Sequence, residues 1–314
     1  MNILISGGAG FIGSHLCDFF IKKNCLVICV DNFITGSKDN IKHLLKNKKF
    51  KLIEHDISKP LFIEEPLDWV LHFASIASPK NYIAEPIKTL KSGLLGTQNC
   101  LGIARSKGAK FLLASTSEIY GDPLVHPQPE SYWGNVNPIG LRSCYDESKR
   151  AAEALTYAYY RQHKISIRIV RIFNTYGPRM QADDGRVISN FIVQALQGKP
   201  LTVYGEGKQT RSFCYIQDLI KGIEKLMKVE YYLPINLGNP KEYKIIELAK
   251  IIIKLVNSSS KIKYLPIMED DPKRRKPDIT VAKKILNWKP KINLKTGLLK
   301  TIKYFKEILA VNNL

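Results

Sequence analysis

Tyr145 and Lys149 stand four residues apart in an amphipathic stretch that opens at Cys144, so a helix there carries both on one face. An ammonium beside a phenol favours the phenolate and draws its pKa down from about 10 toward neutrality. A tyrosine so placed can take and return the proton of an alcohol while hydride moves at the same carbon. The same spacing recurs at Tyr160/Lys164 and Tyr204/Lys208, so spacing alone selects nothing. Only the first pair follows an apolar run that ends in hydroxyls and a carboxylate, Ser115-Thr116-Ser117-Glu118. Position picks out Tyr145.

The chain begins with a site for the hydride carrier. Ile3-Leu4-Ile5 leads into Gly7-Gly8-Ala9-Gly10-Phe11-Ile12-Gly13, an amphipathic stretch runs to Lys23, and Leu26 to Val30 stops at Asp31. This reads as strand, glycine turn, helix, strand. Gly7 permits the tight turn, Gly10 lets the backbone approach a pyrophosphate, and Gly13 lets helix and strand lie close. The first helical N–H groups, around Phe11 and Ile12, then face the phosphates. Asp31, eighteen residues past Gly13, can accept both ribose hydroxyls of an adenosine. Its charge repels a 2′-phosphate, which predicts NAD over NADP. Asn32 follows it, Asp56 and Ile57 can edge the adenine pocket, and Ser75 ends a later apolar run.

Those residues must be brought together by a scaffold. Apolar runs at 50–53, 69–73, 110–114 and 165–173 alternate with helical stretches at 86–107 and 144–162. A polar loop and helix are expected between Asp31 and Phe50. Strands alternating with helices predict an α/β, Rossmann-type doubly wound parallel sheet, whose ligand sits at the carboxyl ends of the strands. Residues 7–13, 74–75 and 115–118 converge on that edge. After about Asn174 the segments shorten: helices at 187–197, 217–227, 245–256 and 294–309, strands at 201–204 and 234–237. The chain therefore divides into a NAD-binding domain, 1–174, and a smaller α/β domain, 175–314, mainly for substrate and partly interleaved with the first.

The 314 residues are 45% apolar and 24% charged, ordinary for a globular enzyme. No run has the length of a membrane span, and Met1 is followed at once by a strand, so no signal peptide is expected. Six cysteines without a CxxC pair suit buried thiols in a reducing compartment, the cytoplasm by default. No metal-binding spacing is expected. The net charge of +20 comes from lysine spread along the whole chain, densest at 42–51, 273–276 and 283–291. A solvated basic surface with pockets for an anionic substrate fits this better than nucleic-acid binding, for which no aromatic-interleaved basic block exists.

The Gly-x-x-Gly-x-x-Gly turn, the Tyr-x-x-x-Lys pair and the hydroxyl at the end of the fifth strand together resemble the extended short-chain dehydrogenase/reductase family. Within it, the stretches HDISKPLFIE, HFASIASPKNY, LLASTSEIYGDPLVHPQPESYWGNVNPIG, SCYDESKR, RIFNTYGPRM, LTVYGEGKQTRSF and DDPKRRKPDI are most similar to the decarboxylases of UDP-glucuronate. The resemblance implies decarboxylation to UDP-xylose through a UDP-4-keto intermediate, with NAD regenerated each cycle, in a homodimer. It implies Tyr145 and Lys149 as the catalytic pair, Lys149 also holding the nicotinamide ribose. It places Thr116 on the sugar 4-hydroxyl and Glu118 near C5. Arg275 would meet the sugar carboxylate, and Lys91, Asn174, Arg186, Tyr204 and Arg211 the nucleotide diphosphate. Gly140-Leu141-Arg142, Ser75-Ile76-Ala77 and Ser92-Gly93 depart from the usual Gly-Pro-Arg, Ser-Pro-Ala and Thr-Asn. A 4-epimerase, a 4,6-dehydratase and an apiose/xylose synthase share the fold. The dehydratase would carry adjacent Asp-Glu where this chain has Ser117-Glu118. A nucleic-acid-binding protein on the same fold is the distant alternative.

Overall fold

Short runs of Ile, Val and Leu without polar alternation demand cover on both faces, which a parallel sheet flanked by helices provides. The computed structural model describes residues 1–183, 185–267 and 271–312. Its strands β1 (Asn2–Ser6), β2 (Leu26–Asp31), β3 (Phe50–Glu54), β4 (Trp69–His72), β5 (Lys110–Thr116) and β6 (Ile167–Ile172) pair in parallel. Pro234–Leu237 joins in parallel at the β6 edge. Among the described residues the main sheet thus has seven strands, in the order Pro234–Leu237, β6, β5, β4, β1, β2, β3. The order reverses between β1 and β4, and the carboxyl ends splay there into a crevice.

Alternate residues of each strand feed opposite faces. Leu4, Ile28, Val70, Phe111 and Ile167 pack with Leu101, Ala104 and Ala152 under the helices α3 (Pro86–Lys107) and α4 (Ser143–His163). Ile3, Ile5, Val27, Leu71 and Leu112 pack on the other face against Leu16 and Phe20 of α1 (Phe11–Lys22), in one cluster with Leu219 and Ile223. Each such fully buried aliphatic side chain stabilises the fold by roughly 1.5–3 kcal/mol. The helix α3 starts on Pro86 and ends where Gly108 turns left-handed at φ +60°, both favourable boundary residues. A short helix, α2 (Pro79–Ala84), precedes it.

Between Asp31 and Phe50 the expected helix is absent. Two single 3₁₀ turns, Lys38–Asn40 and Lys42–Leu44, take its place, the first capped by the Ser37 hydroxyl accepting from the Asp39 amide. Only Ile41 and Leu44 of this segment reach the core, too few to anchor a longer amphipathic helix. The fifth strand runs two residues further than expected, to Thr116, so its hydroxyls stand on the sheet itself.

After β6 the chain makes short, mostly non-local pairings. Leu201–Tyr204 pairs with Ile262–Leu265, and Thr175–Tyr176 with Cys214–Tyr215. Thr210–Ser212 lies between Glu242–Lys244 and Arg274–Arg275. Side chains alternate along that last strand, so Arg274 is exposed and Arg275 is buried. All six cysteines are buried and unbonded. Among the described residues no helix is long and apolar enough to cross a membrane.

Candidate active site

The crevice at the strand ends is a cavity of about 640 Å³ that runs from Asp31 to Arg211. At one end the glycine turn closes tightly. A Cβ on Gly7, at φ +71°, would stand 2.6 Å from the Ala74 amide nitrogen, and one on Gly13 would overlap the Gly7 carbonyl. The helix α1 has no side-chain cap and no acid in its first turn. Its first N–H groups lack intrahelical acceptors and open on the space lined by Gly10, Phe11, Ile12 and Gly13. Beside them the buried Asp31 carboxylate accepts from the Ala9 and Phe33 amides, both at 2.9 Å. Burial pushes its pKa up while these N–H groups pull it down. Asn32, Asp56, Ile57 and Ser75 complete this end. The Ser75 hydroxyl is buried without a protein partner, open to a ligand. An anion cradle, a fixed carboxylate and an unpaired hydroxyl suit a dinucleotide.

In the middle lie the acid/base groups. Tyr145 hangs from the first turn of α4, hydrogen-bonded to Thr116 and stacked on Tyr82 with ring centres 5.4 Å apart and planes 4° from parallel. Thr116 is held in turn by accepting the Glu118 amide at 3.2 Å. One turn along, Lys149 donates to the Ala114 carbonyl at 2.9 Å, its nitrogen 6.0 Å from the Tyr145 ring centre. The predicted tuning is overturned here. Burial pushes the Tyr145 phenol up to about 12, although its bond to Thr116 opposes this, and burial lowers Lys149 to about 8. Desolvation dominates both groups, and the Lys149 ammonium is engaged by the Ala114 carbonyl.

Beyond Tyr145 stands a charged cluster. One oxygen of the Glu118 carboxylate, Oε2, pairs with both Arg142 and Arg275, the latter at 3.1 Å. Arg275 also donates to the Ser117 carbonyl at 2.8 Å. Burial alone would raise the Glu118 pKa, but Arg275, Arg142 and Arg211 outweigh it and hold it at about 2. Glu118 is ionised at any working pH.

Lys91, Asn174, Arg186, Tyr204 and Arg211 line the far part of the cavity, Arg211 braced by Asp271 at 2.9 Å. Arg275 alone of the expected residues does not line it. Its guanidinium is 1% exposed and lies behind Glu118. The sequence reading passed over Arg142 and Tyr82, which do face the cavity. Arg142 had a usable signal: it lies three residues before Tyr145 and so shares its helical face. Tyr82 had none. Among the described residues no group of three or more His, Cys, Asp or Glu could hold a metal.

Comparison with known proteins places the chain in a family. The family model for GDP-mannose 4,6 dehydratase matches residues 4–301. UDP-glucuronic acid decarboxylase 5 of Arabidopsis thaliana is 58% identical, over 95% of this chain and 87% of that protein. UDP-glucuronic acid decarboxylase 1 of Xenopus tropicalis is 55% identical, over 98% of this chain and 73% of that protein. Among solved structures, the UDP-glucuronic acid 4-epimerase of Bacillus cereus, in complex with UDP-glucuronic acid and NAD, has a TM-score of 0.88 at 29% identity. It covers 98% of this chain and 100% of its own. The UDP-glucose 4-epimerase of Thermotoga maritima, with UDP-glucose, has a TM-score of 0.89 at 28% identity with the same coverages.

Proposed function

Because the chain belongs to the UDP-glucuronic acid decarboxylases, within the extended short-chain dehydrogenase/reductase family, we propose that it converts UDP-glucuronate to UDP-xylose and carbon dioxide. The observation that carries this reading is the ionised Glu118 paired with two guanidinia, set beside the Tyr145 phenol in the middle of a cavity whose one end suits a dinucleotide. The cofactor is NAD, held by Gly7, Gly10, Phe11, Ile12, Gly13, Asp31, Asn32, Asp56, Ile57 and Ser75. When bound, it supplies the hydride acceptor for C4 and gives the hydride back, so the reaction has no net redox.

Tyr145 takes the C4 hydroxyl proton while Thr116 holds the same oxygen in place. A positive charge near the phenol would lower its pKa from about 12, and Lys149, one helical turn along, is the residue that would supply it and hold the nicotinamide ribose. The resulting 4-ketone lies β to the C6 carboxylate, so carbon dioxide leaves with its electrons held as an enolate. The C6 carboxylate competes with Glu118 for the guanidinium of Arg142 on the cavity wall, while the enclosed Arg275 holds Glu118 from behind. That contact fixes the direction of the breaking C5–C6 bond. Glu118, freed on one side, accepts a hydrogen bond from the water that protonates C5. Lys91, Asn174, Arg186, Tyr204 and Arg211 hold the nucleotide diphosphate; residues 1–174 carry the cofactor site and also reach the substrate through Lys91 and Asn174, and 175–314 serve mainly the substrate.

Incubation with UDP-glucuronate tests the reading directly. We expect UDP-xylose and carbon dioxide in equal amounts. UDP-galacturonate without gas would make this a 4-epimerase, and a branched pentose beside xylose an apiose/xylose synthase.

The Asp31 charge repels a 2′-phosphate, so NAD is expected to bind at least tenfold tighter than NADP, a difference of about 1.4 kcal/mol. Calorimetric titration with both decides it; equal affinities would remove Asp31 from the ribose.

We propose a homodimer in the cytoplasm. Ile87, Leu90 and Leu94 recur at helical spacing along α3 and are exposed, with Ile83 of α2 beside them, a stripe suited to a second copy of the chain. The six buried thiols support a reducing compartment. In sedimentation equilibrium we expect a dimer at micromolar concentration and a monomer for Leu94→Arg; a wild-type monomer would refute the stripe as an interface.

A further inference from the structure

Loss of carbon dioxide leaves an electron pair on C5, so each turnover takes one proton from solvent to that carbon. The proton that Tyr145 removes at the C4 hydroxyl returns there with the hydride. Glu118, ionised between Arg142 and Arg275, has no proton to give. The supply has to come from outside, on the side of the cavity where Glu118 stands.

Behind Arg142 is a second hollow, of about 190 Å³, lined among others by Asp122, Asn135, Asn137, Asp146 and Pro272. Arg142 and Pro272 line both spaces and so form the partition between them. Asn135 and Asn137 on its rim are exposed, so the hollow meets solvent. On its inner wall Asp146, next to Tyr145 on α4, is only 5% exposed, and its Oδ1 has no hydrogen-bond partner in the protein. A buried carboxyl oxygen in that state is costly unless water or its own proton serves it. Titratable groups face it from several elements: Arg142 just before its helix, Glu147 on the helix and Glu118 from the turn after β5. Arg275 does so from its short strand and Tyr82 from α2, and Asp122 shares the hollow. Burial and Glu118 push its carboxyl up to about 8 against the pull of Arg142 and Arg275. At neutral pH it carries a proton.

We propose that Asp146, acting through water in this hollow, resupplies the proton taken up at C5. The inference rests on the decarboxylase reading above. The carboxyl proton passes to water beside Arg142, and the water held by Glu118 gives its own proton to C5 as the C5–H bond forms. Solvent at the rim then reprotonates Asp146. One proton enters per carbon dioxide released and no electrons are exchanged. Asp146 never touches the sugar; it works through water.

The test uses the NAD-loaded enzyme and UDP-glucuronate. For Asp146→Asn we expect NADH and carbon dioxide in the first turnover at near wild-type amplitude, with NADH persisting and steady-state UDP-xylose formation at least tenfold slower. Formate, small enough for the hollow, should restore at least half of the lost rate, and Asp146→Glu should keep more than half. Steady-state turnover within twofold of wild type for Asp146→Asn would overturn the relay alone. So would parallel loss of the first turnover without rescue by formate, which marks a structural role. Wild-type enzyme that releases no carbon dioxide would overturn the relay and the decarboxylase reading together.

Discussion

Replacing Tyr145 with phenylalanine is expected to lower turnover by a factor of about 10² or more while the fold stays intact. The ring is buried and stacks face to face on Tyr82, an interaction that phenylalanine keeps. What disappears is the oxygen bonded to Thr116. Because Lys149 sits on Ala114 and burial holds the phenol near 12, the free protein is not primed. The loss should therefore fall on kcat once substrate and cofactor are in place, with little change in KM. Tyr160→Phe is the control, since Tyr160 has the same spacing to a lysine but packs on Tyr232 with ring centres 4.7 Å apart. Near-normal turnover for the first variant, or equal damage from the second, would strip Tyr145 of its role.

Arg275→Ala should act on stability as much as on chemistry. Its guanidinium is enclosed, and removing one partner of a buried ion pair costs about 3–5 kcal/mol. The lower end, about 3 kcal/mol, is expected because Arg142 remains on Glu118 and repulsion from Arg142 and Arg211 is relieved. In urea this appears as a lower midpoint with an unchanged slope. The folded fraction should still form NADH from UDP-glucuronate, slowly, yet release disproportionately little carbon dioxide. Arg274→Ala, one residue along and exposed, should stay within about 0.5 kcal/mol. Equal effects at both positions would show that a diffuse basic patch, and no enclosed pair, is what matters.

The cofactor end was readable because its signals are local. The glycine spacing, the run before it and Asp31 after β2 depend on neighbours within about thirty residues, and Gly7, Gly10, Gly13 and Asp31 all line the cavity. The placing of Tyr145 and Lys149 beside Thr116 was readable by order, since β5 ends in Thr116 and the next long helix carries Tyr145 in its first turn. Their protonation was not readable, because burial decides it and burial is a property of the whole fold. Arg275 shows the same limit: its two-residue strand takes its direction from pairing with Thr210–Ser212, far back in the chain. No local pattern announces that. The polar stretch after Asp31 failed differently, since helix-compatible residues lacked apolar positions to hold a helix down.

The edge strand Pro234–Leu237 bears on how the chain is made. Its neighbour β6 ends at Ile172, about 60 residues earlier, and Asn236 within it bonds Tyr120 at 2.8 Å and the Gln128 carbonyl at 3.0 Å. At synthesis rates of about 5–20 residues per second, β6 waits roughly 3–12 seconds on the ribosome with an unpaired, apolar edge. During that interval nascent chains on neighbouring ribosomes can add a strand to one another. Slow translation or early termination between residues 172 and 234 therefore favours aggregation over a folded half-protein.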